Sequence, residues 1–159
     1  IQASLVGSEM CIRDSDDTLK DIFEAISNFT QDYQVILPAH PRLKYYIDDK
    51  NIDLTNIALI DPLSYIDFMS LVYRCDLVLT DSGGIQEETT YLGINCLTLR
   101  EETERPITVQ EGTNKVIGTD KENIINEINN VLGSKISNEA KIKYWDGETS
   151  DRIFQILFG

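Results

Sequence analysis

The segment Ser82-Gly83-Gly84 contains the residues best suited to hold an anion. It follows the apolar run at residues 77–79 and precedes a helical pattern that starts near Ile85. Glycines let the backbone turn sharply and let a ligand approach the main chain. The N–H groups at a helix N-terminus lack partners within the helix and attract anions. We therefore expect a phosphate group at this turn, although a plain tight turn between a strand and a helix would use the same residues.

The turn differs from two common nucleotide-binding motifs. It lacks the Lys of a P-loop, so a triphosphate with magnesium is not expected. It also lacks the full G-x-G-x-x-G of a dinucleotide-binding fold. A diphosphate held by main-chain N–H groups and by the Ser82 hydroxyl fits the sequence better.

Four charged or titratable residues could complete such a site. Neighbouring residues point in different directions on a helix, so Glu88 could accept two hydrogen bonds from a ribose while Glu87 faces solvent. Both glutamates could instead only complement the helix dipole. Arg105, in an otherwise acidic loop, could hold a phosphate with two parallel hydrogen bonds or form a weak surface ion pair. His40, the single histidine, could titrate near neutral pH or make a structural hydrogen bond.

Alternating strands and helices are predicted to position these residues. Apolar runs predict strands at residues 35–37, 57–60, 77–79, 96–99 and 115–117. Amphipathic patterns predict helices at residues 16–29, 43–49, 65–74, 85–92 and 120–132, one turn after Pro106, and a final helix around Ile153. Steps of about 20 residues indicate right-handed βαβ units and therefore a Rossmann-like α/β fold, a parallel sheet with helices on both faces.

Ligands bind beyond the carboxyl ends of the strands in such sheets. Four polar segments follow predicted strands and should meet at that edge. They are residues 40–42, 61–63, 80–84 and 100–105. Tyr65 and Phe68 lie on the helix after the second of these segments, where a ring could stack on a base or simply pack in the core.

The composition indicates one globular domain. The chain has 159 residues, of which 42% are hydrophobic and 26% charged. A formal net charge of -13 argues against a nucleic-acid binder and against docking on an anionic membrane. Three cysteines and one histidine make no zinc set, and no apolar run approaches the ~20 residues of a membrane helix. We expect reduced thiols and a cytoplasmic location.

Residues 1–15 do not match the pattern that follows them. They show neither a helical nor a strand period, and they lack the basic start and long apolar stretch of a signal peptide. We interpret them as a non-native leader, derived from cloning or sequencing-adapter DNA, and assign the domain to residues 16–159. A native strand around Leu5 and Val6 is the alternative.

Several longer motifs occur in a fixed order along the chain. They are PAHPR at residues 38–42, IDPLSY at 60–65, TDSGGIQEE at 80–88, YLG at 91–93, TERP at 103–106, GTN at 112–114 and YWDGE at 144–148. Together they resemble the non-hydrolysing UDP-N-acetylglucosamine 2-epimerase family. Members of this family have two Rossmann-like halves with a cleft between them, as in GT-B glycosyltransferases. This chain is similar to the C-terminal half only, from about residue 16 to residue 158.

The resemblance implies a role for each site residue, because the C-terminal half holds the UDP of the substrate. Ser82-Gly83-Gly84 would bind the diphosphate, and Glu88 would accept the ribose hydroxyls. Phe68 would lie against the uracil, and the Leu63 main chain would hydrogen-bond to its edge. Arg105 would hold the substrate or the edge of the cleft.

The family reaction removes UDP from UDP-GlcNAc by anti elimination and adds it back with inversion at C2, giving UDP-ManNAc without a metal or redox cofactor. The acidic residues thought to move the protons lie in the N-terminal half. An His-Arg-Arg-Glu-Asn motif is also expected where this chain has residues 11–15, and Thr89-Thr90 stands where the family usually has Ala-Pro. His40 matches a histidine near the cleft, at a second, activating nucleotide-sugar site.

The resemblance therefore implies the UDP-binding half of an epimerase that is a homodimer at full length. Alone, it should bind UDP weakly and show no turnover. Three alternatives stay open: a regulatory UDP-sugar-binding module, half of a GT-B glycosyltransferase, and a hydrolysing epimerase. A diacetamido sugar could also replace the N-acetylglucosamine of the substrate.

Overall fold

The computed structural model describes residues 2–6, 16–133 and 142–159. The strands are β1 (Gln2–Val6), β2 (Gln34–Pro38), β3 (Ile57–Ile60), β4 (Leu77–Thr80), β5 (Asn95–Thr98) and β6 (Asn114–Val116). The helices are α1 (Asp16–Ser27), α2 (Pro41–Asp49), α3 (Tyr65–Val72), α4 (Gly83–Leu92), α5 (Pro106–Gln110), α6 (Lys121–Leu132) and α7 (Thr149–Phe158). The strands form one sheet in the order β3-β2-β1-β4-β5-β6, and every pair is parallel. The predicted parallel α/β fold is confirmed.

The N-terminal strand departs from the sequence expectation. β1 lies in the middle of the sheet, where Ala3 pairs with Val35 on one side and with Leu77 on the other. The exclusion of residues 1–15 from the fold is therefore wrong for residues 2–6, and the alternative strand is present. Its apolar run is too short to show a period. A central parallel strand is held in place by the two strands to which it hydrogen-bonds, and the sequence does not show which strands those are. Residues 7–15 lie outside the described residues, and a non-native origin stays a prediction.

Apolar side chains cover both faces of the sheet. Successive strand residues point to opposite faces, so Leu77 and Leu79 join the larger core cluster while Val78 joins the smaller one. The larger cluster includes Ile22, Phe23 and Ile26 of α1 and Phe29 just after this helix, together with residues of α2 and α6. The smaller cluster holds residues of α3 and α4 around Val72. This confirms that helices cover both faces.

The parallel strands carry their carboxyl ends to one edge. The connections that leave β2, β3, β4 and β5 therefore emerge together, as the four polar segments predicted. The four predicted polar segments thus lie at one edge of the sheet, with the β4–α4 connection near its middle.

The last helix, α7, is confirmed where the sequence predicted it, but its apolar residues are not buried. Ile153, Phe154, Ile156, Leu157 and Phe158 are between 51% and 82% exposed. Across residues 2–6, 16–133 and 142–159, no helix combines the length and apolar character required to cross a membrane.

Candidate functional site

The turn between β4 and α4 leaves main-chain donors open for a ligand. Ser82 is the N-cap residue of α4, with extended backbone (φ -84, ψ 125) and no capping hydrogen bond from its side chain. Its N–H donates to Thr80 Oγ1 at 3.0 Å. Gly83 and Gly84 are the first two helical residues, so their N–H groups have no partner within the helix. The arrangement suits an oxyanion, because the positive end of the helix dipole points out of the same turn.

Arg105 lies against this turn. A Cβ atom placed on Gly83 would be 3.8 Å from Arg105 Cγ and 4.0 Å from Cζ, which are ordinary van der Waals distances, so the Arg105 side chain lies directly beside Gly83. Arg105 Nε is 3.1 Å from Glu87 Oε1, an ion-pair distance that lacks hydrogen-bond geometry. Both side chains are about two-fifths exposed, at 40% and 43%, so this ion pair is weak. A phosphate could therefore compete with Glu87 for the guanidinium.

A set of polar side chains lies behind the turn, of which Thr103 is half-buried and the others are buried. This buried polar network consists of Gln86, Thr98, Thr103, Thr108 and Asn114. Gln86 Oε1 accepts hydrogen bonds from Thr103 Oγ1 and from Asn114 Nδ2. Asn114 also accepts from Thr98 Oγ1 at 2.6 Å and donates to Thr108 Oγ1 at 3.0 Å. The network connects α4, β5, α5 and β6 with the segment that carries Arg105.

The sequence alone indicates no role for the network residues, although three of them stand in the quoted motifs. The available signal was chemical: Gln86, Thr89 and Thr90 are uncharged polar residues on a helix face that must pack inward, and all three are fully buried. Such residues need hydrogen-bond partners when they are buried. Their partners could not be identified from spacing, because Gln86 and Asn114 are 28 residues apart.

Glu88 presents one fixed and one open carboxylate oxygen. Tyr65 Oη donates to Glu88 Oε1 at 2.9 Å, which ties α3 to α4 and raises the pKa of Tyr65. Glu88 Oε2 is buried and has no hydrogen-bond partner among the described residues. A buried carboxylate oxygen without a donor is unfavourable unless a ligand supplies one. A hydroxyl-bearing ligand could do so.

An apolar groove of about 810 Å³ extends from Glu88 between α3 and α4. Tyr65, Met69, Tyr91 and Trp145 are among the side chains that line it. The lining residues in the described ranges do not include the predicted uracil contacts. Phe68 is half-buried against the smaller core cluster, as its core-packing alternative predicts.

The remaining predicted residues lie along the same edge at different distances from the turn. Leu63 is exposed in the connection that leads from β3 to α3. His40 follows β2, which β1 separates from β4 in the sheet. Its Nδ1 accepts from the Arg42 N–H at 3.3 Å and caps α2, which is the structural role considered for it. The structure thus brings together Ser82, Gly83, Gly84, Glu88 and Arg105, while His40 lies elsewhere on this edge.

No group of three His, Cys, Asp or Glu side chains within the described ranges could hold a metal ion. Cys75 and Cys96 are both buried as thiols, and burial raises the pKa of the Cys96 thiol to about 11. The site therefore consists of main-chain donors, one arginine and one carboxylate.

Comparison with known sequences gives a consistent family. Residues 12–158 match the family model described as UDP-N-acetylglucosamine 2-epimerase. The UDP-N-acetylglucosamine 2-epimerase of Methanocaldococcus jannaschii is 36% identical over 151 residues, which are 91% of this chain and 41% of that enzyme. The Escherichia coli K12 enzyme is 37% identical over 83% of this chain and 37% of its own length. A UDP-2,3-diacetamido-2,3-dideoxy-D-glucuronate 2-epimerase of Pseudomonas aeruginosa is 36% identical over 77% of this chain and 34% of its own.

Solved structures agree with the sequence comparison. The Methanocaldococcus jannaschii UDP-GlcNAc 2-epimerase in complex with UDP-GlcNAc and UDP has a TM-score of 0.83 and 33% identity, covering 98% of this chain and 44% of that one. An Escherichia coli heptosyltransferase with ADP, 13% identical with a TM-score of 0.58 over 83% of this chain and 44% of its own, shares the fold alone. This chain spans about two-fifths of the length of the curated relatives it matches, in agreement with the predicted C-terminal half. The chain belongs to the UDP-N-acetylglucosamine 2-epimerase family.

Proposed function

We propose that this chain binds the UDP moiety of UDP-GlcNAc and UDP-ManNAc as the nucleotide-binding half of an enzyme that interconverts them. One observation carries the proposal: three groups suited to a nucleotide lie along the first half of α4. They are the open N–H donors at its N-terminus, Arg105 beside them, and the buried Glu88 Oε2 that lacks a donor among the described residues. Gly84 and Glu88 are one helical turn apart, about 6 Å along the axis. A diphosphate on the turn would therefore leave its ribose within reach of Glu88.

Each group has a defined task in this proposal. The N–H groups of Gly83 and Gly84 and the guanidinium of Arg105 stabilise the negative charge of the diphosphate. Glu88 Oε2 accepts hydrogen bonds from the ribose hydroxyls while Tyr65 holds the other carboxylate oxygen. When the bond between sugar C1 and UDP breaks, the same donors stabilise the departing UDP.

The uracil is assigned to the connection between β3 and α3. Leu63 lies in this connection, and Phe68 lies on the first turn of α3. Tyr65, between them in sequence, donates to Glu88, so the segment extends to the proposed ribose position. The Leu63 main chain would bond the edge of the base, and Phe68 would need to expose one ring face to it. His40 has no part in UDP binding here; its proposed place is the second, activating site near the cleft.

The proton transfers at C2 are assigned to residues outside the site described above. In this proposal both oxygens of Glu88 have partners, Tyr65 Oη on one and a ribose hydroxyl on the other. The proposal also includes a homodimeric full-length enzyme and a cytoplasmic location, which the buried thiols of Cys75 and Cys96 suit.

The second candidate function is epimerisation of a UDP-diacetamido sugar. It is favoured by the 36% identity to the Pseudomonas aeruginosa enzyme named for such a substrate. Both candidates share the UDP site and differ only in the sugar. Product analysis with the two substrates and full-length enzyme would separate them, and would also detect a hydrolysing enzyme by released UDP.

Titration of the 159-residue chain with UDP, followed by NMR, tests the proposal. We expect weak, saturable binding, at least tenfold weaker for Arg105→Gln and for Glu88→Gln, because each removes one direct contact. Arg42→Gln, an exposed arginine on α2, is the matched control and should bind like the unsubstituted chain. Absence of UDP binding would contradict the proposal, and epimerisation of UDP-GlcNAc by this chain alone would contradict the assignment of the proton transfers.

A further inference from the structure

Gln86 occupies an unusual position for an amide side chain. It is 0% exposed, one turn into α4, and its Oε1 accepts two hydrogen bonds. Its Nε2 is buried without a hydrogen-bond partner among the described residues. An apolar side chain would avoid that unsatisfied donor, so the useful part of the amide is its oxygen.

Two hydroxyl groups connect this oxygen to both sides of the Arg105 main chain. Thr103 Oγ1 donates to Gln86 Oε1 and accepts the Arg105 N–H at 3.0 Å. Thr108 Oγ1 donates to the Arg105 carbonyl at 2.7 Å and accepts from Asn114 Nδ2, which also donates to Gln86 Oε1. A hydroxyl has one proton, so each of these groups has its donor and acceptor roles fixed. The N–H and C=O of Arg105 are therefore both held by chains of hydrogen bonds that lead to Gln86.

The guanidinium itself has weaker support. It has a half-exposed ion pair with Glu87, in which the buried Nε makes no hydrogen bond, and a long hydrogen bond of 3.3 Å from Nη1 to the Glu104 carbonyl. Exposed ion pairs contribute little to position, whereas buried hydrogen bonds are costly to break. The place of Arg105 against Gly83 is therefore set by its main chain and, through it, by the buried polar network.

We propose that Gln86 is a positioning residue for diphosphate binding. It holds the Arg105 segment against the β4–α4 turn before the nucleotide binds. This inference rests on the proposed function. Its physical basis is preorganisation: a contact that is already in place does not need to be ordered on binding. In this proposal Gln86 affects the ligand only through Arg105, so the effect of substituting Gln86 should disappear when Arg105 is also substituted.

The test uses the full 159-residue chain, with UDP and uridine as probes in NMR titrations. Gln86→Met keeps the volume and removes the acceptor. We expect it to weaken UDP binding about tenfold and to change uridine binding less than twofold. In a chain that already carries Arg105→Gln, the same substitution should weaken UDP binding no further. Equal losses for UDP and uridine, or losses that add in the double variant, would overturn the proposal.

A second pair of variants covers the case in which Gln86→Met does not fold. Thr103→Val removes the connecting hydroxyl while keeping the shape, and Thr103→Ser keeps the hydroxyl. The first should reproduce the selective loss of UDP binding, and the second should bind like the unsubstituted chain. Failure of the unsubstituted chain to bind UDP would contradict the proposed function itself. UDP binding that depends on Arg105 but is unchanged by Gln86→Met and Thr103→Val would contradict this inference alone.

Discussion

Two turns at the same edge of the sheet, β4–α4 and β2–α2, begin helices in similar ways but differ in their support. At β4–α4, Arg105 lies beside Gly83 although it is 22 residues away in sequence, and the buried polar network packs behind the turn. At β2–α2, His40 makes a local cap two residues away. The Ala39 N–H donates to the Ile60 carbonyl at 3.1 Å, and Lys44 forms an exposed ion pair with Asp61, so no long-range side-chain hydrogen bond among the described residues is buried there. Every helix N-terminus attracts anions weakly. The comparison indicates that a helix N-terminus is a good candidate for a binding site when hydrogen bonds away from solvent hold side chains from distant segments against it.

Gly112→Ala should disrupt the supported turn most strongly. A Cβ at Gly112 would clash with the Thr108 carbonyl oxygen and with Thr90 Cγ2, so the Gly112 segment, α5 or α4 would have to shift. We expect a loss of about 3 kcal/mol in the free energy of unfolding, measured by urea denaturation. The control is Gly147→Ala, which has φ +80 but open space and should cost about 1 kcal/mol. Equal losses for the two variants would contradict the close packing behind the turn.

Asn114→Ala should have the next largest effect. It removes hydrogen bonds with Gln86, Thr98 and Thr108 and leaves their polar atoms buried. We expect a loss of about 2 to 3 kcal/mol in the free energy of unfolding, because each unsatisfied buried group carries a penalty. Asn130→Ala, on the exposed side of α6, should change it by less than about 0.5 kcal/mol. A loss for Asn114→Ala as small as that of the control would mean that the network does not support the turn.

His40→Ala sharpens the comparison from the other side. It removes the cap of α2 and should cost at most about 1 kcal/mol of unfolding free energy. UDP binding by this chain should not change, because β1 lies between β2 and β4 in the sheet. A tenfold loss of UDP affinity, measured in the NMR titration, would place His40 in the UDP site.

The smallest expected effect concerns an exposed ion pair far from either turn. Glu24 of α1 accepts a hydrogen bond from Lys121 of α6 at 2.6 Å, and this bond lowers the pKa of Glu24. The pKa is lower in the folded than in the unfolded chain, so the contribution to stability is present above the unfolded value and is lost as pH falls through the folded one. The stability difference between the unsubstituted chain and Glu24→Gln should thus shrink below about pH 4. A difference that stays constant from pH 7 to pH 3 would contradict this assignment.

Much of the fold could be predicted because its signals are local. The run at residues 77–79 and the stripe of α1 show the periods of a buried strand and an amphipathic helix. The tight turn between β4 and α4 could be predicted for the same reason, since Gly83 and Gly84 closely follow the strand. The strand β1 is not predicted, because it is stabilised by its hydrogen bonds to β2 and β4 and not by a local sequence pattern.

The support of the site could not be predicted from the sequence alone. Gln86, Thr98 and Asn114 have side chains that are also common on protein surfaces. The hydrogen bonds that link them to one another and to Thr103 span 16 to 28 residues of sequence. Tyr65 was considered as a stacking ring, whereas in the structure its hydroxyl holds Glu88. The types of residue in the sequence were enough to predict where a ligand could bind. The contacts that hold those residues in place form only when the sheet is assembled.

The most direct test of a UDP site at the β4–α4 turn is a crystal structure of this chain with UDP. We expect the diphosphate oxygens within hydrogen-bond distance of the Gly83 and Gly84 N–H groups and of the Arg105 guanidinium, with a ribose hydroxyl on Glu88 Oε2. UDP bound in the groove between α3 and α4 without its diphosphate on the turn, or bound beside His40, would contradict it.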